Sequence, residues 1–225
     1  MNTFDSYSPD ALQFLRDLKA NNTKDWFTAH KTTYEHCIKD PTKVFAAHME
    51  SALGALTGQP HSSKIFRIHR DVRFSKVKTP YNAHIHVALR PERTTAQPPM
   101  WFFGLSPEKL TLGCGVFQYD NEALANFRRA MAGPKGAELI ALTDELRASG
   151  IRIGEPDLKR VPKGFDKDHP NEVALRRKGF AAWIDITDTA FVTEPDLVER
   201  TTATFQKLIP VFDLLSDIGS PTGPC

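Results

Sequence analysis

The chain has 225 residues, of which 40% are hydrophobic and 25% charged, and its formal net charge is +2. This composition supplies enough apolar residues for a core, which excludes global disorder. No apolar run approaches the roughly 18 residues of a membrane helix, and the N-terminus lacks the basic-then-apolar order of a signal peptide. The three scattered cysteines, Cys37, Cys114 and Cys225, form no C-x-x-C pattern. Reduced thiols, a cytoplasmic location and no membrane partner are therefore expected.

The first third of the chain predicts three helices. Ser8-Pro9-Asp10 gives a cap, a proline at the first helical position and an early acid, which together open the first helix. Its buried face is predicted from apolar residues at helical spacing, namely Ala11, Phe14, Leu15 and Leu18. A second helix is expected from Thr23 to about Lys39, and a third from Asp40 until a turn at Gly58.

Alternating apolar and polar residues then predict strands. The first strand is placed at residues 65–74, with Phe66, Ile68, Val72 and Phe74 turned inward together with Arg70. After a loop over residues 75–83, further strands are expected at about 84–90, 100–105 and 110–118. Because the connections are short, these four strands should form one antiparallel meander, with the N-terminal helices against its apolar face.

The remainder of the chain is mixed. Asp120 caps one predicted helix, Gly133-Pro134 separates it from a second, and that second helix ends at Gly150. Residues 154–170 are rich in loop formers, residues 180–186 predict a strand, and a terminal helix over about 195–216 should be kinked at Pro210. A frayed tail is expected from about residue 219. The whole chain, residues 1–225, is predicted to be a single α+β domain whose antiparallel meander of four or more strands is packed by N-terminal and C-terminal helices.

Positive charge is concentrated in one segment. Between Lys64 and Arg93, eight lysines and arginines stand against two acids, whereas the rest of the chain has 21 basic and 25 acidic residues. If the first two strands pair, one sheet face carries Arg67, His69, Asp71, Arg73, His84, His86 and Arg90. The connecting loop adds Ser75, Lys76, Lys78 and Tyr81. These donor types bind phosphate and carboxylate, so the sequence predicts a site for a small anionic ligand.

The two histidines admit more than one chemistry. With Tyr81 as a further candidate, His84 or His86 would act as the proton acceptor of a hydrolase. Alternatively, His84, His86 and Asp71 would be the ligands of a metal-dependent hydrolase. Carboxylates are scarce in this segment, and its arginines would repel a cation, so no cofactor is predicted and the metal site remains an alternative.

Two other features have a structural interpretation beside a functional one. Cys114 lies between two glycines and is expected to be a small buried residue rather than an accessible thiol. Asp166, Asp168 and His169 are a proton-transfer group, a set of ligands or caps of the following helix, and capping is favoured.

The stretch from Phe66 to Tyr81 reads FRIHRDVRFSKVKTPY. It resembles the hallmark R-D-x-R-F-S-K-x-K-x-P-Y of the family called domain of unknown function 2461. The similarity extends to Asn21-Asn22 with Asp25-Trp26-Phe27, to residues 158–170 and to Lys178-x-Phe180. The resemblance implies a single α+β domain and no established activity. This chain departs from the family pattern in having Val77 in place of an acid, Asn82 in place of a base and His69 in place of an aromatic hydroxyl.

The leading functional prediction is a binder of a small phosphorylated or carboxylated ligand. Its predicted ligand-binding residues are Arg67, Arg70, Asp71, Arg73, Ser75, Lys76, Lys78, Tyr81, Arg90 and Lys178. The alternative from another class is a structural or interaction module, in which the arginines form internal salt bridges to the acidic C-terminal part. The balanced total charge and the lack of an aromatic stacking platform beside the loop argue against nucleic acid.

Overall fold

The structure, a computed structural model, describes residues 4–92 and 97–219. Its strands are β1 (His61–Ile65), β2 (Ile85–Pro91), β3 (Met100–Leu105), β4 (Leu110–Val116), β5 (Arg152–Ile153) and β6 (Phe180–Ile186). They form one antiparallel sheet in the order β1-β2-β3-β4-β6-β5. The predicted α+β class, with helices from both ends of the chain packed on an antiparallel sheet, is confirmed.

The described chain divides into two compact units. The first unit contains the described residues up to 89, together with residues 102–112 and 185–204. The second contains residues 113–184 and the described parts of 90–101 and of the chain from 205 onward. Strand segments of the sheet belong to both units.

The N-terminal helices follow from their capping residues. They are α1 (Pro9–Ala20), α2 (Lys24–Ala29), α3 (Lys31–Tyr34) and α4 (Asp40–Thr57), with a π-helix at Glu35–Lys39. Thr23 caps α2 by accepting a hydrogen bond from the Trp26 N–H, and Gly58 ends α4 with a φ of 71°. The third helix begins at Asp40 as predicted, but the single helix predicted from Thr23 to about Lys39 is wrong, because this stretch forms α2, α3 and the π-helix. Pro41 has no N–H for the carbonyl of Cys37, and the Asp40 N–H bonds back to Glu35 in the wider turn.

The core of the first unit is aromatic. Phe45 and Phe103 are buried with ring centroids 4.6 Å apart, and Tyr7 lies beside both rings. The Tyr7 hydroxyl is 2.9 Å from Thr42 Oγ1, a hydrogen bond that satisfies two buried polar groups. The predicted α1 face is confirmed as buried, since Ala11, Phe14, Leu15 and Leu18 are all at most 3% exposed.

The first predicted strand is misplaced. The strand is β1, at residues 61–65, and residues 66–80 leave the sheet after the Phe66 N–H donates to the His86 carbonyl. Consequently Phe66 and Phe74, predicted to face inward, are 48% and 95% exposed. The alternating pattern of 65–74 is compatible with a strand, but this segment bonds back to residues 80–82 instead of continuing along β2. The three later strands of the meander lie where the sequence predicts them.

The second unit contains α5 (Asn121–Met131), α6 (Pro134–Ala148) and α7 (Glu172–Leu175). Asp120 caps α5 as predicted, by accepting from the Ala123 N–H. Cys114 is confirmed as fully buried, and burial, with a smaller contribution from Asp213, raises the pKa of its thiol. Trp101 is also buried, and its ring stacks on Phe212 with centroids 5.2 Å apart. The short strand β5, which pairs antiparallel with β6, was not predicted.

The C-terminal region forms two helices, α8 (Leu197–Gln206) and α9 (Ile209–Gly219). The prediction of a single terminal helix kinked at Pro210 is therefore wrong in detail. The chain turns at residues 207–208, and Pro210 then takes a position in the first turn of α9, where a proline needs no backbone donor. The predicted frayed tail lies, after residue 219, outside the described residues. None of the helices in the described part of the chain is long and apolar enough for a membrane crossing.

Candidate functional site

The conspicuous feature of the first unit is an arm, formed by residues 66–82, between β1 and β2. The arm folds back on itself, because the Arg70 N–H donates to the Pro80 carbonyl at 2.9 Å and the Asn82 N–H donates to the Ile68 carbonyl at 2.7 Å. His69 and Tyr81 form the antiparallel bridge between these two bonds. The basic segment of the sequence is thus a loop that folds back on itself between two strands of the sheet.

The base of the arm is fixed by the turn between α1 and α2. Asn22 Oδ1 accepts from the Tyr81 N–H and Asn22 Nδ2 donates to the Tyr81 carbonyl, both at 3.0 Å. The Tyr81 ring, only 6% exposed, stacks on Phe27 with centroids 4.1 Å apart. Tyr81 is therefore an anchor of the arm, and its buried ring explains why it does not line the cleft described next.

A cleft of about 340 Å³ opens between the arm and the start of β2. It is lined by Phe66, Arg67, His69, Arg70, Asp71, Asn82, His84 and His86. Five of these residues, Arg67, His69, Asp71, His84 and His86, belong to the predicted polar face. The lining also includes Arg70, which was predicted to bind the ligand although it was placed on the inward face. Phe66 and Asn82 were not predicted as site residues, because the sequence placed Phe66 inward and noted Asn82 only as a departure from the family pattern.

The charge balance of the cleft is positive. The single carboxylate of the lining, Asp71, accepts from Arg73 Nε at 3.0 Å and from Arg73 Nη2 at 2.6 Å. These hydrogen bonds, and more weakly the charge of Arg67, hold the pKa of Asp71 below its usual value. Asp71 is thus ionised and already paired, whereas Arg67 forms no ion pair within residues 4–92 and 97–219.

Arg70 is the better-fixed cation of the cleft. It is half-buried, and its guanidinium donates from Nη1 to Thr79 Oγ1 and from Nη2 to Ser75 Oγ at 3.4 Å. Hydroxyl partners hold the guanidinium in place without neutralising it. Its charge remains available to an anion in the cleft.

Two imidazoles form the wall contributed by the β2 side of the cleft. His84 and His86 are two residues apart, so their side chains lie on the same face, with ring centroids 4.1 Å apart. Partial burial, and then the charge of Arg70, lowers the pKa of His84. Partial burial, and then the neighbouring His84, lowers the pKa of His86 to about 4. Both rings are therefore neutral at neutral pH.

We expect the histidine pair to make the protein less stable in acid. Because both pKa values are lower in the folded chain, the unfolded chain binds more protons between about pH 6.5 and about pH 4. The contribution of the two histidines to the free energy of unfolding should be fully present above about pH 6.5, and it should be lost as the pH falls toward about 4. The loss should be on the order of 1–2 kcal/mol, since water at the exposed edge of His86 limits the effect.

Urea unfolding at neutral and at mildly acidic pH measures this loss. His86→Gln should reduce the difference between the two conditions, whereas His36→Gln, at an exposed helical position, should leave it unchanged. An equal acid-induced loss in the His86→Gln variant and in the unchanged protein would contradict this account.

Several predicted site residues lie outside the cleft lining. Arg73 is occupied by Asp71, and Lys78 Nζ donates to the Val72 carbonyl at 3.0 Å, so both shape the arm. Ser75 accepts from the Val77 N–H at 3.2 Å and thereby forms a turn, and Lys76 is exposed on the arm. Arg90 and Lys178 belong to the second unit, and neither is part of the lining. The backbone N–H of Lys178 donates to Asp157.

The second predicted polar segment is used for turns. Asp166 Oδ1 accepts from the Asp168 N–H, and His169 Nδ1 accepts from the Asn171 N–H, both at 3.0 Å. These bonds lie before α7, whose N-cap is Asn171 and has no side-chain cap hydrogen bond, so the favoured interpretation of these residues as helix caps is wrong and they form turns instead. Asn171, whose amide donates to the carbonyls of Met131 and Gly133, fastens this turn within the second unit.

The part of the chain that the structure describes contains no cluster of three or more histidine, cysteine or acidic side chains that could hold a metal ion. His84, His86 and Asp71 share the cleft. The Asp71 carboxylate is turned to Arg73, with which it makes its hydrogen bonds.

The fold and the cleft define an α+β protein with an antiparallel sheet and a positively charged, histidine-containing depression beside its second strand. The chain belongs to the family described as conserved hypothetical protein (DUF2461), whose model matches residues 10–214. The resemblance noted in the sequence is thereby confirmed. The curated proteins contain no match to this chain.

Proposed function

We propose that the cleft binds a small phosphorylated or carboxylated molecule. The observation that carries the proposal is the imbalance of charge in the lining, where Arg67 and Arg70 face a single carboxylate that Arg73 already occupies. An arginine that has no carboxylate partner and lines a concave site offers a planar pair of donors, which suits phosphate and carboxylate geometry.

The neutral histidines suit the same ligand. An uncharged imidazole supplies one hydrogen-bond donor and one acceptor, and it can gain a proton when a bound anion raises its pKa. The structural alternative requires the arginines to be consumed by ion pairs with the acidic C-terminal part. The pair Arg73–Asp71 is instead internal to the arm, and it leaves Arg67 and Arg70 for a ligand.

Sulfate is a suitable test ligand, because its charge does not change near neutral pH. We expect isothermal titration to show sulfate binding that weakens as sodium chloride is added, since part of the attraction is screened. Arg67→Gln should weaken binding by about tenfold, the effect of losing a charge-assisted hydrogen bond.

The matched control is Arg16→Gln, because Arg16 is an exposed arginine of α1 in the same unit and lies outside the cleft lining. This variant should bind sulfate as the unchanged protein does. Equal sulfate affinity in Arg67→Gln and Arg16→Gln would mean that Arg67 does not contribute to a sulfate site, which contradicts the proposal.

A second candidate function is hydrolysis of a phosphate ester in the same cleft. The lowered pKa of His84, which lies near Arg70, favours this candidate because it keeps an unprotonated imidazole beside the expected position of the anion. His86, with a pKa of about 4, would be the weaker base. Release of p-nitrophenolate from p-nitrophenyl phosphate, lost in His84→Gln while sulfate still binds, would identify this activity. No release would refute it and leave anion binding standing.

A further inference from the structure

Exposed apolar side chains are concentrated in the stretch of chain that contributes to the cationic cleft. The large hydrophobic residues that are most exposed include Ile65, Phe66, Phe74 and Val77, all within one short stretch of the first unit. Of these, only Phe66 lines the cleft. The cleft therefore combines cations with an aromatic surface, which simple phosphate binding does not need.

Part of the Phe66 side chain remains accessible to a ligand. Lys64 Nζ lies 5.2 Å from the Phe66 ring centroid, and the His86 ring meets the Phe66 ring at 88° with centroids 6.4 Å apart. Despite these two neighbours, 48% of Phe66 stays exposed. A planar group stacked on this surface would remove apolar area from water and would be favoured by the nearby cation.

The cleft also contains a side-chain amide, that of Asn82, which can form hydrogen bonds with the polar edge of a heterocyclic ring. Asn82 lines the cleft and is half-buried, and its backbone N–H donates a hydrogen bond to the Ile68 carbonyl. Its side-chain amide carries both donors and an acceptor, the combination that pairs with a heterocyclic base. A phosphate site, an aromatic surface and an amide thus line the same cleft.

We infer that the ligand of the cleft is a nucleoside phosphate, with its phosphate at Arg67 and Arg70 and its base stacked on Phe66. This inference rests on the proposed anion site and specifies the rest of the ligand. A cleft of about 340 Å³ is at the small end of ligand pockets, which span about 300–1,000 Å³, and suits a single nucleotide. A free mononucleotide and one nucleotide of a single-stranded nucleic acid present the same phosphate and base.

Isothermal titration with four probes tests the inference: inorganic phosphate, ribose 5-phosphate, adenosine 5′-monophosphate and a short oligoadenylate. Inorganic phosphate and ribose 5-phosphate should bind comparably, and adenosine 5′-monophosphate should bind about tenfold more tightly because of base stacking. Phe66→Leu should remove this gain and leave ribose 5-phosphate binding unchanged.

The oligoadenylate distinguishes the two sources of the ligand. If adenosine 5′-monophosphate binds at least as tightly as the oligoadenylate, the ligand is the free nucleotide. Tighter binding of the oligoadenylate identifies a strand, and either ranking supports a nucleoside phosphate.

Phe74→Leu is the matched control, since Phe74 lies on the same arm, is 95% exposed and is not part of the lining. It should keep the gain for adenosine 5′-monophosphate. Loss of the gain in Phe74→Leu but not in Phe66→Leu would overturn the inference, and so would equal affinity for ribose 5-phosphate and adenosine 5′-monophosphate. If neither inorganic phosphate nor ribose 5-phosphate binds, the proposed anion site itself fails, which is a different result.

Discussion

Gly115→Ala should destabilise the protein by about 3 kcal/mol or more, as expected when strain and overlap with the backbone occur at the same residue. Gly115 has a φ of 145°, a conformation that residues with a side chain rarely adopt. A Cβ atom there would lie 2.1 Å from the Phe180 carbonyl oxygen and 2.6 Å from the Ala181 Cα. Both neighbours are backbone atoms of β6, so they cannot move aside without breaking the contact between β4 and β6.

Urea unfolding of purified protein measures this effect. Gly154→Ala is the control, because among the described residues no atom beyond Gly154 and its two chain neighbours lies within 4 Å of the Cβ position, and the φ of Gly154 is not positive. That variant should stay within about 0.5 kcal/mol of the unchanged protein. Similar stabilities for the two variants would mean that β4 and β6 are not packed as described.

The second large effect is expected at Asn22. Asn22→Ala removes both hydrogen bonds that hold the Tyr81 backbone and leaves a part-buried N–H and C=O without those partners. Stability should fall by about 2 kcal/mol, the usual effect of leaving such groups unsatisfied. Because Asn22 fixes the base of the arm, sulfate affinity should fall about tenfold although Asn22 does not line the cleft.

Asn21→Ala provides the comparison for Asn22→Ala. The Asn21 side chain donates to the Asp17 carbonyl of the preceding helix and not to the arm, so its loss should leave sulfate affinity unchanged. Titration calorimetry and urea unfolding on both variants separate positioning from general stability. If the two variants bind sulfate equally well, the anchored arm does not determine the geometry of the site.

The parts of the fold with regular local patterns could be predicted from the sequence. The α1 face and strands β3 and β4 follow from residue spacing, and the α5 start follows from the Asp120 cap, because burial and capping are decided locally there. Residues 65–74 also alternate, but their conformation depends on a partner 10 to 15 residues away. The bond from the Asn82 N–H to the Ile68 carbonyl competes with continued pairing to β2, and residue alternation contains no information on that competition.

The fold brings part of the predicted set of site residues into one cleft, and the site itself stays a prediction. Charge density and the H-x-H spacing pointed to Arg67, Arg70, Asp71, His84 and His86, which the fold brings into one cleft. The sequence could not separate lining residues from those that shape the arm, because a basic residue type does not show that Arg73 and Lys78 make their hydrogen bonds within the arm whereas Arg67 lines the cleft. The role of Asn22 was missed for the same reason, since its partner Tyr81 lies 59 residues away.

The π-helix at Glu35–Lys39 determines how the chain would respond to a deletion there. A π-turn holds one residue more than an α-turn, and the extra residue is accommodated within the turn. Removing one residue there would restore an α-turn and leave the buried stripe of α4, with Phe45, Met49 and Leu53, facing the core. The same deletion would press the Pro41 ring against the carbonyl four residues before it, as proline does inside an α-helix. Single-residue deletions in this segment should therefore be selected against because of Pro41, whereas substitutions at its exposed positions should be tolerated.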